Sequence, residues 1–380
     1  MLIPLALTEE QKIIRETAKR FAEKELFPIA IEMDEKHQFP RQVFAKMGEV
    51  GFAGLLLPVE YGGAGLNYVS SALALQELNK GSLGLSTCLV SHTGQQLVIN
   101  EFGTEEQKRK FIPPLARGEK LGAFAMTEPD AGSDAASLRT TAVLDGDHYI
   151  LNGSKCFITN AGEAEWYLVI ARSSPEAKGY KGLSAFLVPS DAPGFSVGKL
   201  ENKMGARSSP TGSLTFEDIS IPKENLLGKE GQGLKISLTL VDFAKMAAVA
   251  ASVGLARAAF ETATSYAKQR TQFGKPIFEY QAIQFTLVDM AIQIEAAESM
   301  LYNVCNLLDM GHKSPSMIAA LKVFATDMAM KVTTNAVQVM GGYGYMKEYR
   351  VEGYMRDAKI MQIYDGTNEI NRLIIARDLA

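Results

Sequence analysis

Cysteine and histidine are both scarce in this chain, with three Cys and four His among 380 residues. Cys88, Cys156 and Cys305 are odd in number and far apart. That fits a reducing compartment in which all three are small buried apolar residues. His37, His92, His148 and His312 stand alone, and no pair has metal-ligand spacing, so no metal is expected. There is no Gly-x-Gly-x-x-Gly between a strand and a helix, no Walker lysine loop and no serine elbow. A nucleotide cofactor would therefore have to bind outside a dinucleotide-binding fold. Gly228–Gly233 reads as a solvated linker, and Gly341–Gly344 as a helix cap and turn. Positive charge is not in excess: 39 Lys and Arg face 43 Asp and Glu, which implies no basic face for nucleic acid. No apolar run is expected to reach the length needed to span a bilayer. The N-terminus has neither a basic export segment nor an Arg-rich leader, so the cytoplasm is the expected location.

What is present is room for two or three domains and a clear change of period. Residues 7 to about 120 carry apolar residues three to four apart, with Thr104-Glu-Glu-Gln107 matching a capping box. From about Gly122 to Pro222 the period drops to two, and Asp145-Gly146 between two alternating runs predicts a hairpin. From about Gly233 the helical period returns in three long runs, Leu234–Arg270, Tyr280–Met310 and Ser316–Met340, joined by short connections. The expected fold is α+β: an N-terminal helical domain over 1–121, a middle β-barrel or sandwich domain over 122–230, and a C-terminal four-helix bundle over 231–380.

Near the end stands Met361-Gln-Ile-Tyr-Asp-Gly-Thr-Asn-Glu-Ile-Asn-Arg372. It reads as an apolar run, an Asp-Gly turn and a new helix capped by Thr367 or Asn368. Asp365 thus sits at a bend behind Ile363 and Tyr364. Partial desolvation there raises a carboxyl pKa towards that of a useful general base. Taken alone, the same residues also describe a plain turn.

Five separated motifs lift that ambiguity. Phe124-Ala-Met-Thr-Glu-Pro-Asp-Ala-Gly-Ser-Asp134, Phe157-Ile-Thr-Asn-Ala161, Arg270-Thr-Gln-Phe-Gly274 with Gln281, Gln338-Val-Met-Gly-Gly-Tyr-Gly344 and Tyr364-Asp-Gly-Thr-Asn-Glu369 occur in that order. Together they resemble the acyl-CoA dehydrogenase family nearly end to end. The resemblance implies FAD, a CoA thioester substrate, a homotetramer built as a dimer of dimers, and reoxidation by an electron-transfer flavoprotein. It implies flavin contacts at Phe124, Met126, Thr127, Gly132, Ser133, Phe157, Ile158 and Thr159, with Thr367 and Glu369 near the adenosine end. Arg270, Gln272, Phe273 and Gln281 would reach the flavin of a neighbouring subunit, and Gln338, Val339, Gly341 and Gly342 would be further cofactor contacts. Ser133, Asp242, Phe243 and Lys245 would touch the CoA chain. A backbone N–H of Asp365 or Gly366, with a ribityl hydroxyl, would meet the enolate oxygen, and flavin N5 would accept the β-hydrogen.

The chain departs from the pattern at three places. Family members usually place Glu where Asp365 stands, or carry it on the long helix at the position of Ala244, which cannot substitute. Asp is shorter by one carbon–carbon bond, about 1.5 Å, and a misplacement of about 1 Å can cost roughly a hundredfold in rate. The expectation is therefore a substrate with bulk at its α-carbon, such as cyclohexanecarboxyl-CoA, with a butyryl-CoA-type straight chain as the alternative. Phe157 stands where Trp is common, and Lys245 where Arg is common, the latter losing the planar fork. Two other readings are an oxygen-using member of the family and a non-catalytic acyl-CoA-binding or interaction protein. Without the resemblance, Asp242 and Lys245 also read as a surface ion pair.

Overall fold

The computed structural model describes residues 5–174, 176–177 and 179–380; residues 1–4 of the N-terminal reading lie outside them. Among the described residues the chain opens with six α-helices: α1 (Glu9–Phe21), α2 (Ala30–Lys36), α3 (Arg41–Val50), α4 (Tyr68–Gly81), α5 (Leu83–Phe102) and α6 (Glu105–Ala116). Side chains start them. Thr8 and Thr104 each form a full capping box, with Gln11 and Gln107 reaching back to the cap N–H. Asn67 and Ser82 cap α4 and α5. Buried residues run almost all the way round α4 and α5, so these two helices form the centre of the helical layer rather than its skin.

Among the described residues eight strands follow: β1 (Gly122–Ala125), β2 (Thr141–Asp145), β3 (His148–Thr159), β4 (Trp166–Arg172), β5 (Leu183–Pro189), β6 (Phe195–Leu200), β7 (Thr211–Pro222) and β8 (Leu226–Leu227). Their order is β6-β7-β3-β2-β4-β5-β8, with β1 parallel to β4. The predicted hairpin is β2–β3, closing at the Asp145–His148 pair, with Gly146 at φ +64° in the turn. The Thr141–Arg172 pair links β2 to β4 and so joins β6-β7-β3-β2 to β4-β5-β8 in one sheet.

The last part is helical again: α7 (Gly233–Gln269), a small hairpin β9 (Thr271–Gln272) and β10 (Lys275–Pro276), then α8 (Gln281–Asp309), α9 (Pro315–Met340), α10 (Val351–Met361) and α11 (Asn368–Leu379). Helices α7, α8 and α9 pack on one another, and α4 packs on α7 and α8. The four-helix arrangement thus borrows a member from the N-terminal helices, while α10 and α11 lie on α9. One expectation is corrected here. Helix α7 is long and apolar enough to cross a bilayer, but 78% of its most apolar window is buried inside the fold, so its apolarity is that of a core helix. Cys88 and Cys305 are buried as expected, whereas Cys156 is only partly so.

Candidate functional site

The Asp365 turn is built by helix α9. After α10 ends, the N–H groups of Ile363 and Tyr364 return to the carbonyl of Ile360, and that of Asn368 to Gln362. The chain then reverses through two left-handed residues, Asp365 at φ +55° and Gly366 at φ +83°. Glycine takes this conformation freely, and Asp is among the few side chains that tolerate it. Thr367 caps α11 by accepting the N–H of Ile370. From α9, Lys322 Nζ donates to the carbonyls of Tyr364 (2.8 Å) and Gly366 (2.6 Å). One turn on, Thr326 accepts from Asn368 (2.9 Å), and Asp327 accepts from Gln362 (2.6 Å) and Asn368 (2.8 Å). Asn371 closes the loop from below by donating to the Gly366 carbonyl (2.7 Å).

Burial raises the Asp365 carboxyl to about 6, against the pull of Lys322 and Lys245, which favour its charged form. The turn therefore holds an acid that is ionised near neutrality yet basic enough to take a proton. Ala244, buried on α7, carries no group that could share that work.

Lys245 is 3% exposed, its Nζ 3.4 Å from Asp242, and its charge acts on Asp365. The ion pair of these two residues is therefore present but not at the surface: Lys245 is turned inward, and only Asp242 keeps a solvated edge. Phe243 is buried in the main core.

In the β domain the loop after β1 is anchored from beneath. Lys155, fully buried, donates to the carbonyl of Met126 (2.9 Å) and to Glu128 (2.7 Å). Glu128 in turn accepts the N–H groups of Arg139 (2.7 Å) and Thr140 (3.0 Å), and Cys156 N–H donates to Thr127 (2.9 Å). This fixes both ends of the segment that carries Gly132 and Ser133, which are exposed at its tip. Phe124 and Met126 pack on the second apolar core. Phe157 stands 66% exposed at φ +56°, an uncommon place for a large apolar residue. Ile158 points the other way, into the core, so only its backbone reaches the Phe157 side. Thr159 is partly exposed.

A third group gathers around an open cavity of about 450 Å³ lined by Arg270, Gln272, Gln338, Val339, Gly341 and Gly342, together with Tyr266 and Tyr343. Sequence-distant candidates meet here because the end of α7 lies beside the end of α9. The Arg270 guanidinium lies 5.6 Å from the Tyr343 ring centre. At Gly341 and Gly342 the backbone faces free space. A cation, side-chain amides and unobstructed backbone suit a phosphate-bearing nucleotide, so the donor set fits a dinucleotide such as FAD. Phe273 projects almost wholly into solvent from the β9–β10 turn, and Gln281 is exposed at the start of α8. Thr367 and Glu369 lie at the α11 N-terminus, apart from that cavity's lining.

Sequence reasoning overlooked Lys322, Lys155, Glu128 and Tyr343. Two left a readable trace. Lys322 falls on the apolar stripe of α9 with Ile318, Ala325 and Ala329, and Lys155 has the inward parity of Tyr149 and Leu151 on β3. A lysine on a buried face signals a fixed partner.

Comparison with known proteins identifies the family. Three family models match in succession: the acyl-CoA dehydrogenase N-terminal domain over residues 8–119, the middle domain over 123–219 and the C-terminal domain over 231–380. A short-chain-specific acyl-CoA dehydrogenase of Clostridium acetobutylicum is 44% identical over 97% of this chain and 98% of its own. The butyryl-CoA dehydrogenase of Megasphaera elsdenii superposes with a TM-score of 0.96 at 42% identity, covering 99% of this chain and 100% of that one. A chain from the solved structure of the electron transferring flavoprotein of Acidaminococcus fermentans, studied for flavin-based electron bifurcation, gives 0.96 at 47% identity over 99% of both. The matched segments, the full-length identities and the shared fold make this chain a member of the acyl-CoA dehydrogenase family, an FAD-dependent oxidoreductase of acyl-CoA thioesters.

Proposed function

We propose that Asp365 is the base that removes the α-proton of a compact acyl-CoA thioester, giving the α,β-unsaturated product. The observation that carries this is a carboxyl raised to about 6 by burial, on a turn whose backbone is fixed on both sides. FAD, when bound, supplies the two-electron acceptor for the β-hydrogen. The chain's own part is to hold the thioester still, keep water out and take the proton at the Asp365 carboxylate. The N–H of Asp365 or Gly366 is the donor for the thioester oxygen as negative charge develops there.

Cofactor contacts divide between two surfaces. Phe124, Met126, Thr127, Gly132, Ser133 and the edge Phe157–Thr159 form one, with Thr367 and Glu369 towards the adenosine end. Arg270, Gln272, Phe273, Gln281, Gln338, Val339, Gly341 and Gly342 form the other, offered to a second copy of the chain. Phe273 at 96% exposure supports that second copy, as does the exposed α8 stripe Phe285, Val288 and Ile292. A homotetramer, dimer of dimers, is the assembly we propose. Electron-transfer flavoprotein is the proposed acceptor, supported by the likeness to a chain from the Acidaminococcus structure. On the CoA side we retain Ser133, Asp242, Phe243 and Gly366. Lys245, lying close enough to act on Asp365, is better suited to the thioester end than to a phosphate.

For the acyl group we propose an α-branched or alicyclic chain, such as cyclohexanecarboxyl converted to cyclohex-1-ene-carboxyl. A base one bond shorter than Glu leaves room at the α-carbon. The names of the similar proteins favour a second reading, a straight short chain of the butyryl type. Anaerobic mixing with butyryl-CoA and cyclohexanecarboxyl-CoA separates them by the rate at which the flavin band bleaches. Faster bleaching by the alicyclic thioester supports the first reading; a strong preference for butyryl-CoA removes it.

A further inference from the structure

Lys322 has no part in the proton transfer just described, yet it is completely buried and aimed at the turn that carries the base. A lysine at zero exposure is rare, because the ammonium loses its water and must be repaid in hydrogen bonds. Here its partners are two backbone carbonyls, and they are the ones immediately before and after Asp365: Tyr364 at 2.8 Å and Gly366 at 2.6 Å. Two N–H groups of one ammonium therefore straddle the residue whose side chain must reach the substrate. A side chain that only filled α9's buried stripe would need neither a charge nor this bracketing.

From this bracket we infer that Lys322 is a positioning residue, a charged clamp that fixes Asp365 in its left-handed conformation and favours its ionised form. The inference rests on the reading of Asp365 as the base. It requires no new reactant and moves no proton, since the ammonium stays charged while Asp365 cycles. The clamp acts in two ways. By holding both flanking carbonyls it prevents the turn from relaxing out of φ +55°, which would swing a short side chain away from the α-carbon. By its charge it opposes the desolvation that would otherwise leave the carboxyl protonated.

The charged groups around the clamp are few enough to name. Asp365 faces it from the turn, Lys245 from α7, Asp327 from α9 itself and Glu369 from α11. Asp327 is already engaged by Gln362, Asn368 and Arg372. Burial lowers Lys322 to about 8, with Asp365 and Asp327 opposing that and Lys245 adding to it. The clamp is accordingly charged at neutral pH and released just above it.

The test uses FAD-loaded Lys322→Met, Lys322→Gln and Lys322→Arg, with Asp365→Asn as control. Anaerobic flavin bleaching is followed from pH 5 to 9.5 with whichever of butyryl-CoA and cyclohexanecarboxyl-CoA reduces the wild type faster. We expect Lys322→Met to keep its FAD, bleach roughly a hundredfold more slowly for a displacement of about 1 Å, and change KM little. Its acid limb should move up by about one pH unit, since an opposite charge has been lost. Wild type should lose rate above about pH 8, and Lys322→Arg should restore part of the rate while abolishing that alkaline loss. Wild-type bleaching with an unmoved acid limb in Lys322→Met overturns the inference, as does failure of all three lysine variants to hold FAD, which would make the residue structural. Bleaching of Asp365→Asn at the wild-type rate instead removes the base assignment itself. An inert Asp365→Asn beside a wild-type-like Lys322→Met removes only the clamp.

Discussion

Lys155 Nζ and Glu128 Oε1 lie 2.7 Å apart, at 0% and 7% side-chain exposure, beneath the loop that carries Thr127 and Ser133. Burial pushes the Glu128 carboxyl up, but Lys155 and the groups of residues 139 and 140 outweigh it and hold the acid below the usual range. The folded value is depressed, so this stabilisation is present above the unfolded carboxylate pKa of about 4.3 and is lost as pH falls below it.

Breaking this pair from one side should be costly. Lys155→Met leaves Glu128 buried and unpaired, and the expected loss is about 3–5 kcal/mol of unfolding free energy. The double variant Lys155→Met/Glu128→Gln removes both charges and should recover much of that loss in denaturant melts. Because the Met126 carbonyl is also released, FAD should dissociate more readily from Lys155→Met than from wild type at temperatures where both remain folded.

Asp365 should show the opposite linkage. Its carboxyl is raised from 3.8 to about 6 by burial, with Lys322 and Lys245 pulling against that. A raised folded pKa contributes stability at pH below the unfolded value and loses it as pH climbs through the folded one. At pH 7 the ionised side chain therefore destabilises the fold. Asp365→Asn should be more stable than wild type at pH 7 by about 1–2 kcal/mol, a figure reduced for the side chain's partial exposure. The gain should vanish near pH 4. The same variant should lose roughly 10²–10⁴-fold or more in flavin reduction, while wild-type kcat/KM rises through pH 6.

Much of this was legible beforehand because it depends on period and punctuation. Thr104 with Gln107, the Asp145-Gly146 turn and the three long apolar runs are local signals, and they became a capping box, a hairpin and helices α7, α8 and α9. Asp365 stood out only once the separated motifs were read together, since an Asp-Gly pair before a helix start also describes a plain turn. Other features are set by tertiary contact and leave only a parity or stripe in the sequence. Lys322 meets Tyr364 and Gly366 across 42 and 44 residues, and Lys155 meets Glu128 across 27. Lys245 also allowed a surface reading because Asp242, three positions earlier, offered a simple partner. Only the packing around α7 shows that its ammonium lies inside.

The Arg270–Tyr343 contact carries the last prediction. The guanidinium sits 5.6 Å from the ring centre, and Tyr343 packs at 6.0 Å from Tyr266 and 5.5 Å from Tyr349. Two neighbouring rings thus hold the Tyr343 ring that faces the cation at the edge of the cavity, which lowers the entropy lost when the arginine engages an anion. If that anion is a phosphate of FAD, a charge-assisted bond of about 1.5–3 kcal/mol is at stake. Arg270→Ala should then weaken FAD retention about 10–100-fold, measured by flavin released on dialysis. Tyr343→Leu keeps the charge and frees the arginine, so it should weaken retention less. Unaltered flavin content in both variants would place the cofactor's phosphates elsewhere. On the proposal that Arg270 is offered to a second copy of the chain, the loss should also deepen as protein is diluted. Arg270→Ala should therefore shed flavin at concentrations where wild type stays assembled, and sedimentation of both proteins across the same dilution series checks it.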